Sequence, residues 1–385
     1  MGIAIFTMMK KLPFLPIRMI LSVAVLAGLS CSCGNPAKNT QVRQRDSAQS
    51  AILSARDTVA APEFPALPIN YDQTTVLKNV YVIDREGAVL RQGADQKAPA
   101  LGRYPYGTKL DVIGEEGDWI AVMDRIQRSQ KEADGQTVEV TRWEKVYVAK
   151  AKLGTQDKIK LSPKDLNLIL LQKVGDKENY YEKGQPLDKY LHLELIDEQT
   201  FLAAKRTAQD EMLKDTLSYK KTGMTLDLPL KNGRRLTFTD HDIDNEHHAR
   251  YDYMGHYDFL NAYAVSGSYW ESGDVRLFDR NDGHLIVECG DYPHFSTDKK
   301  YLMTLHADPY ETTGDLQLFH VKQGKIAPML FFSFKCWMPA GEEDLTFWGR
   351  DGHIYAAVNH IDAYWTEKGF LSDRYQFLRI KVLEP

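Results

Sequence analysis

Between Lys78 and Gly154 apolar and polar residues alternate in short runs, "NVYVID", "AVLRQG", "TKLDVIGEEGDWIAVMD" and "WEKVYVAKAKL", each closed by glycine or a polar turn. Period-two alternation of valine, isoleucine and tyrosine predicts half-buried strands, here a small barrel over 74–155. The pattern changes over 156–222. "SPKDLNLILLQKV" opens with a helix-start signature, and "DKYLHLELI" alternates as a strand. "DEQTFLAAKRTAQDEMLKD" offers Asp197 as an N-cap, with Phe201, Leu202 and Ala204 on one side of a helix. These features predict a short α/β connector, with an amphipathic partner-binding helix as the sharper alternative. From Met224 helical patterning is sparse and aromatic residues are dense, so 223–385 is expected to be a β-rich domain.

Within that region two segments match. "GDVRLFDRNDGHLIV" begins at Gly273 and "GDLQLFHVKQGKIAP" at Gly314, 41 residues on (314 − 273). Each is a glycine and an acid, alternating apolar residues, a polar glycine turn and a second strand. A weaker third unit runs from "LTFWGRDGHIYAAV" to "RYQFLRIKV". The period lies in the range of propeller blades, and "PHFSTDKKYLMTL" resembles the first half of a blade in WD-repeat-like propellers. Roughly 160 residues supply at most four such blades, so the expectation is a small or incomplete propeller, or packed antiparallel sheets.

The strand order of the first region carries a second likeness. "VLRQG" (Val89 to Gly93), "LGRYPYGTKLDVIG" (Leu101 to Gly114), "GDWIAV" (Gly117 to Val122) and "KVYVAKAKL" (Lys145 to Leu153) together resemble the bacterial SH3-like domain. Pro105 and Gly107 match its turn, Trp119 its tryptophan strand and Tyr147 its closing strand, and the aromatic positions are expected to supply the bulk of a small core. Lys145 and Val146 replace the usual closing glycine and tryptophan, and "RIQRSQKEADGQTVEVTR" (Arg125 to Arg142) lengthens one hairpin. The resemblance implies binding of peptidoglycan or peptides, although the long hairpin and altered closing pair separate this chain from the family's usual contacts.

The fold class read from the chain is therefore mainly β: a small SH3-like barrel, a short α/β connector, then a C-terminal antiparallel β domain, propeller-like or of packed sheets.

Ahead of these elements, Lys10, Lys11 and Arg18 precede an apolar run from Met19 to Leu29, too short to span a bilayer. Residues 1–30 read as a secretory signal. "AGLSCSCG" resembles a bacterial lipoprotein signal, which implies acylation of Cys31; a soluble secreted protein is the alternative. Residues 31–73 are polar, small and proline-punctuated and read as a flexible tether. The expected location is the bacterial cell envelope, lipid-anchored and facing the periplasm or the surface.

The chain of 385 residues has a net charge of −5, and loss of the basic signal makes it more negative. That balance disfavours a nucleic-acid partner, which needs a basic footprint. Of four cysteines, Cys289 and Cys336 lie outside the signal, and either a disulfide or two buried thiols fits them.

Candidate chemistry centres on "TFTDHDIDNEHHARYDYMGHYD" (Thr237 to Asp258), four histidines among six acids. As an EF-hand from Asp240 it finds acids at Asp242 and Asp244. It fails at Asn245, where glycine is needed, and at Tyr251, where glutamate is. The zincin order is absent. An irregular metal site remains from His247, Asp252 and His256, the last two sharing a face if the segment is a regular strand. "VSGSYW" lacks the nucleophile-elbow order. No P-loop or dinucleotide fingerprint is present, so no cofactor is expected. Tyr269, Trp270, Trp337, Trp348 and Trp365 fall near expected loops or strand ends and are the candidate ligand-facing aromatics.

Together these readings give a non-catalytic lipoprotein that binds an envelope protein or peptidoglycan. The alternatives are a metal-dependent hydrolase using the Asp240 to His256 cluster, and an immunity-like lipoprotein that captures a toxin.

Overall fold

A computed structural model describes residues 64–131 and 135–383. The expected signal, Cys31 and most of the tether lie outside the described residues. The chain divides into two compact units, with the boundary between Lys158 and Ile159. It is mainly β throughout, in antiparallel sheets.

The first unit contains β1 (Lys78–Val82), β2 (Ala88–Arg91), β3 (Ala100–Tyr104), β4 (Lys109–Glu116), β5 (Trp119–Lys131), β6 (Thr137–Ala149) and β7 (Leu153–Gly154). They form one sheet in the order β3-β2-β6-β5-β4-β1-β7, whose pairing path stays open between β3 and β7. Val82, Leu90, Leu110, Val112, Ile120, Val122, Val146 and Val148 pack in one cluster, so the sheet must curl around its own inner face. Irregular registers at Val112/Gly114 and Leu90/Arg91 supply bends. Gly107, at φ +86°, makes the β3–β4 turn and donates its N–H to the Val82 carbonyl at 2.9 Å. The expectation of an aromatic core is corrected: the cluster is aliphatic apart from Tyr104. Trp119 is half-buried, and the buried Tyr147 donates its hydroxyl to Glu116 at 2.8 Å. The lengthened hairpin pairs through to Lys131 and Thr137.

The second unit opens with α1 (Pro163–Leu166), whose Asp165 carboxylate accepts the Ser162 N–H at 2.6 Å. β8 (Leu168–Val174), β9 (Lys177–Pro186) and β10 (Leu191–Ile196) follow, then α2 (Glu198–Lys205), where Asp197 caps the Thr200 N–H at 2.7 Å. The remaining strands are β11 (Thr225–Pro229), β12 (Arg235–Thr239), β13 (Ala249–Tyr257), β14 (Ala262–Tyr269), β15 (Gly273–Asp279), β16 (Leu285–Cys289), β17 (His294–Phe295), β18 (Tyr301–Asp308), β19 (Thr313–Lys322), β20 (Lys325–Phe334), β21 (Trp337–Pro339), β22 (Thr346–Trp348), β23 (Ile354–His360) and β24 (Gln376–Val382).

These strands build four sheets. β11-β12 is a hairpin, β13-β14-β15-β16 a meander, and β17-β18-β19-β20 a second meander extended by β8 and β9. The last sheet runs β10-β24-β23-β21, with β22 also on β23. The two matching sequence segments are the β15–β16 and β19–β20 hairpins, the closing pair of each meander. Segment 156–222 is thus not a separate connector. Its strands complete two sheets of the C-terminal region, because β20 and β24 each leave an edge that β8 and β10 pair.

Strand alternation explains how the sheets stack. On β23, Ile354, Ala356 and Val358 face a core shared with Met303, Leu316 and Phe332, while Tyr355 and Ala357 face Phe201 of α2. On β18, Met303 and Leu305 join that large core, and Leu302 points the other way against Leu277 and Tyr257. On β14, Ala262 and Ala264 complete this second core, and Tyr263 and Val265 pack on Leu226 and Leu228 of the β11–β12 hairpin. Layers therefore run α2, five strands, six, four, two. The middle sheets are buried on both faces, which is why β18 and β23 read as apolar runs.

Candidate functional site

Three segments distant in sequence meet at a cleft of about 530 Å³ in the second unit: 208–214, 292–295 and 341–348. The first of these departs from the sequence expectation. The pattern predicts a helix through Asp215, but α2 ends at Lys205 and 208–212 form no regular element. Met212 is buried in the core against Tyr292, and Leu213 exchanges backbone hydrogen bonds with His256 at 2.9 and 3.2 Å. Gly255 makes that approach feasible: its φ is +150°, and a Cβ there would lie 2.4 Å from the Leu213 carbonyl oxygen.

The second segment links β16 to β17. Tyr292 is buried, and its hydroxyl donates to Asp210 Oδ2 at 2.6 Å. The His294 ring packs 4.9 Å from the Tyr292 ring, and the Trp348 indole N–H donates to the His294 carbonyl at 3.0 Å. The third segment, between β21 and β22, carries Glu342, Glu343 and Asp344 through one 3-10 turn, Glu343–Leu345. Tyr375 donates to Glu342 at 3.0 Å, and Lys205 pairs with Asp344 at 2.8 Å.

Lys214 joins the segments. Its Nζ lies 3.3 Å from Asp210, 3.5 Å from Glu343 and 4.7 Å from the centre of the Tyr292 ring. Burial raises the Glu343 carboxyl above the usual glutamate range against the opposing pull of Lys214. Burial also pushes the His294 imidazole down to about 4, outweighing Asp210 and Asp291, so it is neutral at neutral pH. Five carboxylates line the cleft against Lys205 and Lys214. Such a wall favours a cationic ligand, and Tyr292, Phe295, Phe347 and Trp348 add apolar surface. A larger, more open depression of about 750 Å³ along α2 is lined by Glu198, Gln199, Leu202, Lys205 and Arg206 and gathers no comparable cage.

The metal candidates do not converge. The β13–β14 register slips between Tyr253 and Gly255, which turns the following residues to the opposite face. His256 therefore joins Tyr253, both bonding Asp215 Oδ1 at 3.1 and 2.7 Å, while Asp252 faces away and meets Lys221 at 3.3 Å and Arg250 at 3.4 Å. His247 is exposed beside Glu246. The three-ligand group that does assemble among the described residues is Asp279, Asp282 and His284. It lies in the β15–β16 turn, where Asp279 and Asp282 already accept the N–H groups of Asn281 and His284.

The aromatic candidates also scatter. Trp337 is fully buried, stacked at 4.5 Å on Phe334 with its N–H on the Leu166 carbonyl. Trp348 is buried, yet it lines the cleft. Tyr269 is half-buried and bonds Asp274 at 3.1 Å. Trp270 is 48% exposed in the β14–β15 turn, and Trp365 is 38% exposed beside Tyr364. Cys289 is a buried free thiol and so is not bonded to Cys336, which is half-buried.

Asp210, Lys214, Tyr292 and Glu343 carried no motif in the sequence. Only the unusual density "EEDL" beside an apolar strand hinted at an acidic rim. No family model matches the chain, and no curated protein or solved structure shows a significant match to it.

Proposed function

We propose that the protein is a non-catalytic binding protein of the cell envelope, held by a lipid on Cys31, that captures an envelope protein or peptidoglycan in the cleft of its second unit. The observation that carries this reading is the convergence of 208–214, 292–295 and 341–348 on one concave, acidic and aromatic surface. Tyr292, Phe295 and Trp348 are buried and a hydrogen bond ties Tyr292 to Asp210, so part of the surface is preorganised. The SH3-like resemblance of the first unit supports the same class of role.

The test is retention. Immobilised protein is exposed to purified peptidoglycan and to envelope extract, beside an Asp210→Asn/Glu343→Gln variant. Retention of either component by the parent and its loss in the variant supports the reading; equal retention by both overturns it. Radioactive palmitate, with and without Cys31→Ala, tests the anchor.

A further inference from the structure

Asp210 and Glu343 come from separate segments, yet one ammonium serves both: Lys214 lies 3.3 Å from the first and 3.5 Å from the second. Two of the neighbouring acids have their own cations, Glu211 with Lys299 at 2.9 Å and Asp344 with Lys205 at 2.8 Å. The Asp210 and Glu343 pair is therefore short of one positive charge. The third wall of this small cage is the face of Tyr292, 4.7 Å from the same nitrogen. Two carboxylates and an aromatic face are the chemistry that recognises an ammonium.

The aromatic wall is held in place and the occupant is not. Tyr292 is 4% exposed and locked by its hydroxyl on Asp210, and the adjacent Met212 is buried in the same core. The Lys214 side chain is half exposed, on a stem that can swing into solvent. Beside the cage the cleft continues along Phe295, Phe347 and Trp348, apolar surface suited to an aliphatic arm. The His294 ring also lines it, making no hydrogen bond with another described side chain.

We propose that the cleft binds a primary ammonium on an aliphatic arm, as a lysine side chain of a peptide carries it, and that Lys214 is a resident occupant which the ligand's ammonium displaces. A single nitrogen between two carboxylates from different segments matches a point charge; a planar guanidinium seeks two parallel oxygens of one group. The proposal rests on the binding reading above and names the group that is bound.

Calorimetric titration of the full chain with Nα-acetyl-lysine N-methylamide, its norleucine counterpart and its arginine counterpart tests it. The lysine probe should bind about tenfold more tightly than norleucine, one charge-assisted contact's worth. Lys214→Met and Lys214→Gln, with folding checked by circular dichroism, should each tighten lysine binding several-fold by removing the internal competitor. Adding Glu343→Gln should return it to the norleucine level. Equal binding of lysine and norleucine, tighter binding of arginine, or unchanged or weaker lysine binding in both Lys214 variants would overturn the proposal. Retention of an envelope component without lysine selectivity sinks the cage alone. Lysine selectivity without retention leaves the cage standing and removes the capture role.

Discussion

Glu144 is fully buried and accepts from Arg128 at 2.7 Å and Arg142 at 2.8 Å on the long β5–β6 hairpin. Burial raises its carboxyl, but the two guanidiniums outweigh burial and hold it below the usual glutamate range. A folded-state value depressed below the unfolded one means stability present above the unfolded value and lost as pH falls through the folded one. Glu144→Ala is expected to cost about 2–3 kcal/mol at neutral pH, because it leaves two arginines facing a buried gap. Urea midpoints of parent and variant should converge in strong acid.

His294 acts in a different pH window. Its folded value is pushed to about 4 from an ordinary 6.5, so between those values the unfolded chain takes up a proton that the folded one refuses. Stability should fall as pH drops from about 6.5 to about 4, and His294→Gln should remove that part of the profile in denaturant titrations of the second unit.

At the scale of elements, the bulge in β13 does most to set the site. Gly255 lets Leu213 pair with His256 at the strand edge, and that pairing carries Asp210 and Lys214 to the cleft. In Gly255→Ala the new Cβ meets the Leu213 carbonyl at 2.4 Å under a positive φ. The expected outcome is a loss of about 2 kcal/mol, and loss of ligand retention in a protein whose circular dichroism is otherwise native. The same bulge explains why Asp252 and His256 separate. Unbroken alternation predicts a common face for them, and one extra residue reverses every later side chain. The end of α2 has a comparable origin. Residues 206–215 have helical composition, but burial of Met212 and pairing of Leu213 hold the segment out of the helix. Asp197, by contrast, caps α2 as its position predicts, since capping needs only three residues of local geometry.

At the scale of the whole molecule, the second unit is one stack of layers rather than a connector followed by a domain. Six- and four-stranded sheets buried on both faces depend on every neighbour, and β8 and β10 close the edges of β20 and β24. A chain beginning at residue 223 is expected to aggregate, with two long strand edges and the Phe332 and Val358 core uncovered. Size-exclusion chromatography beside a chain beginning at residue 159 checks this, and a soluble native-like monomer from 223 would contradict the layered account.

Alternation, caps and turn glycines act over a few residues. The sequence by itself therefore determined that the chain is mainly β, where most strands and α2 begin, and that 273–287 and 314–328 are equivalent hairpins. Tertiary structure alone decided the rest. Which sheet claims β8 and β10, where β13 slips its register, and which loops meet around Lys214 depend on energies between residues far apart in the chain. Burial of Met212, the pairing of Leu213 with His256 and the Tyr292 hydroxyl on Asp210 bring the cleft together. None leaves a local periodicity, because each is a contact between segments and not a property of either one.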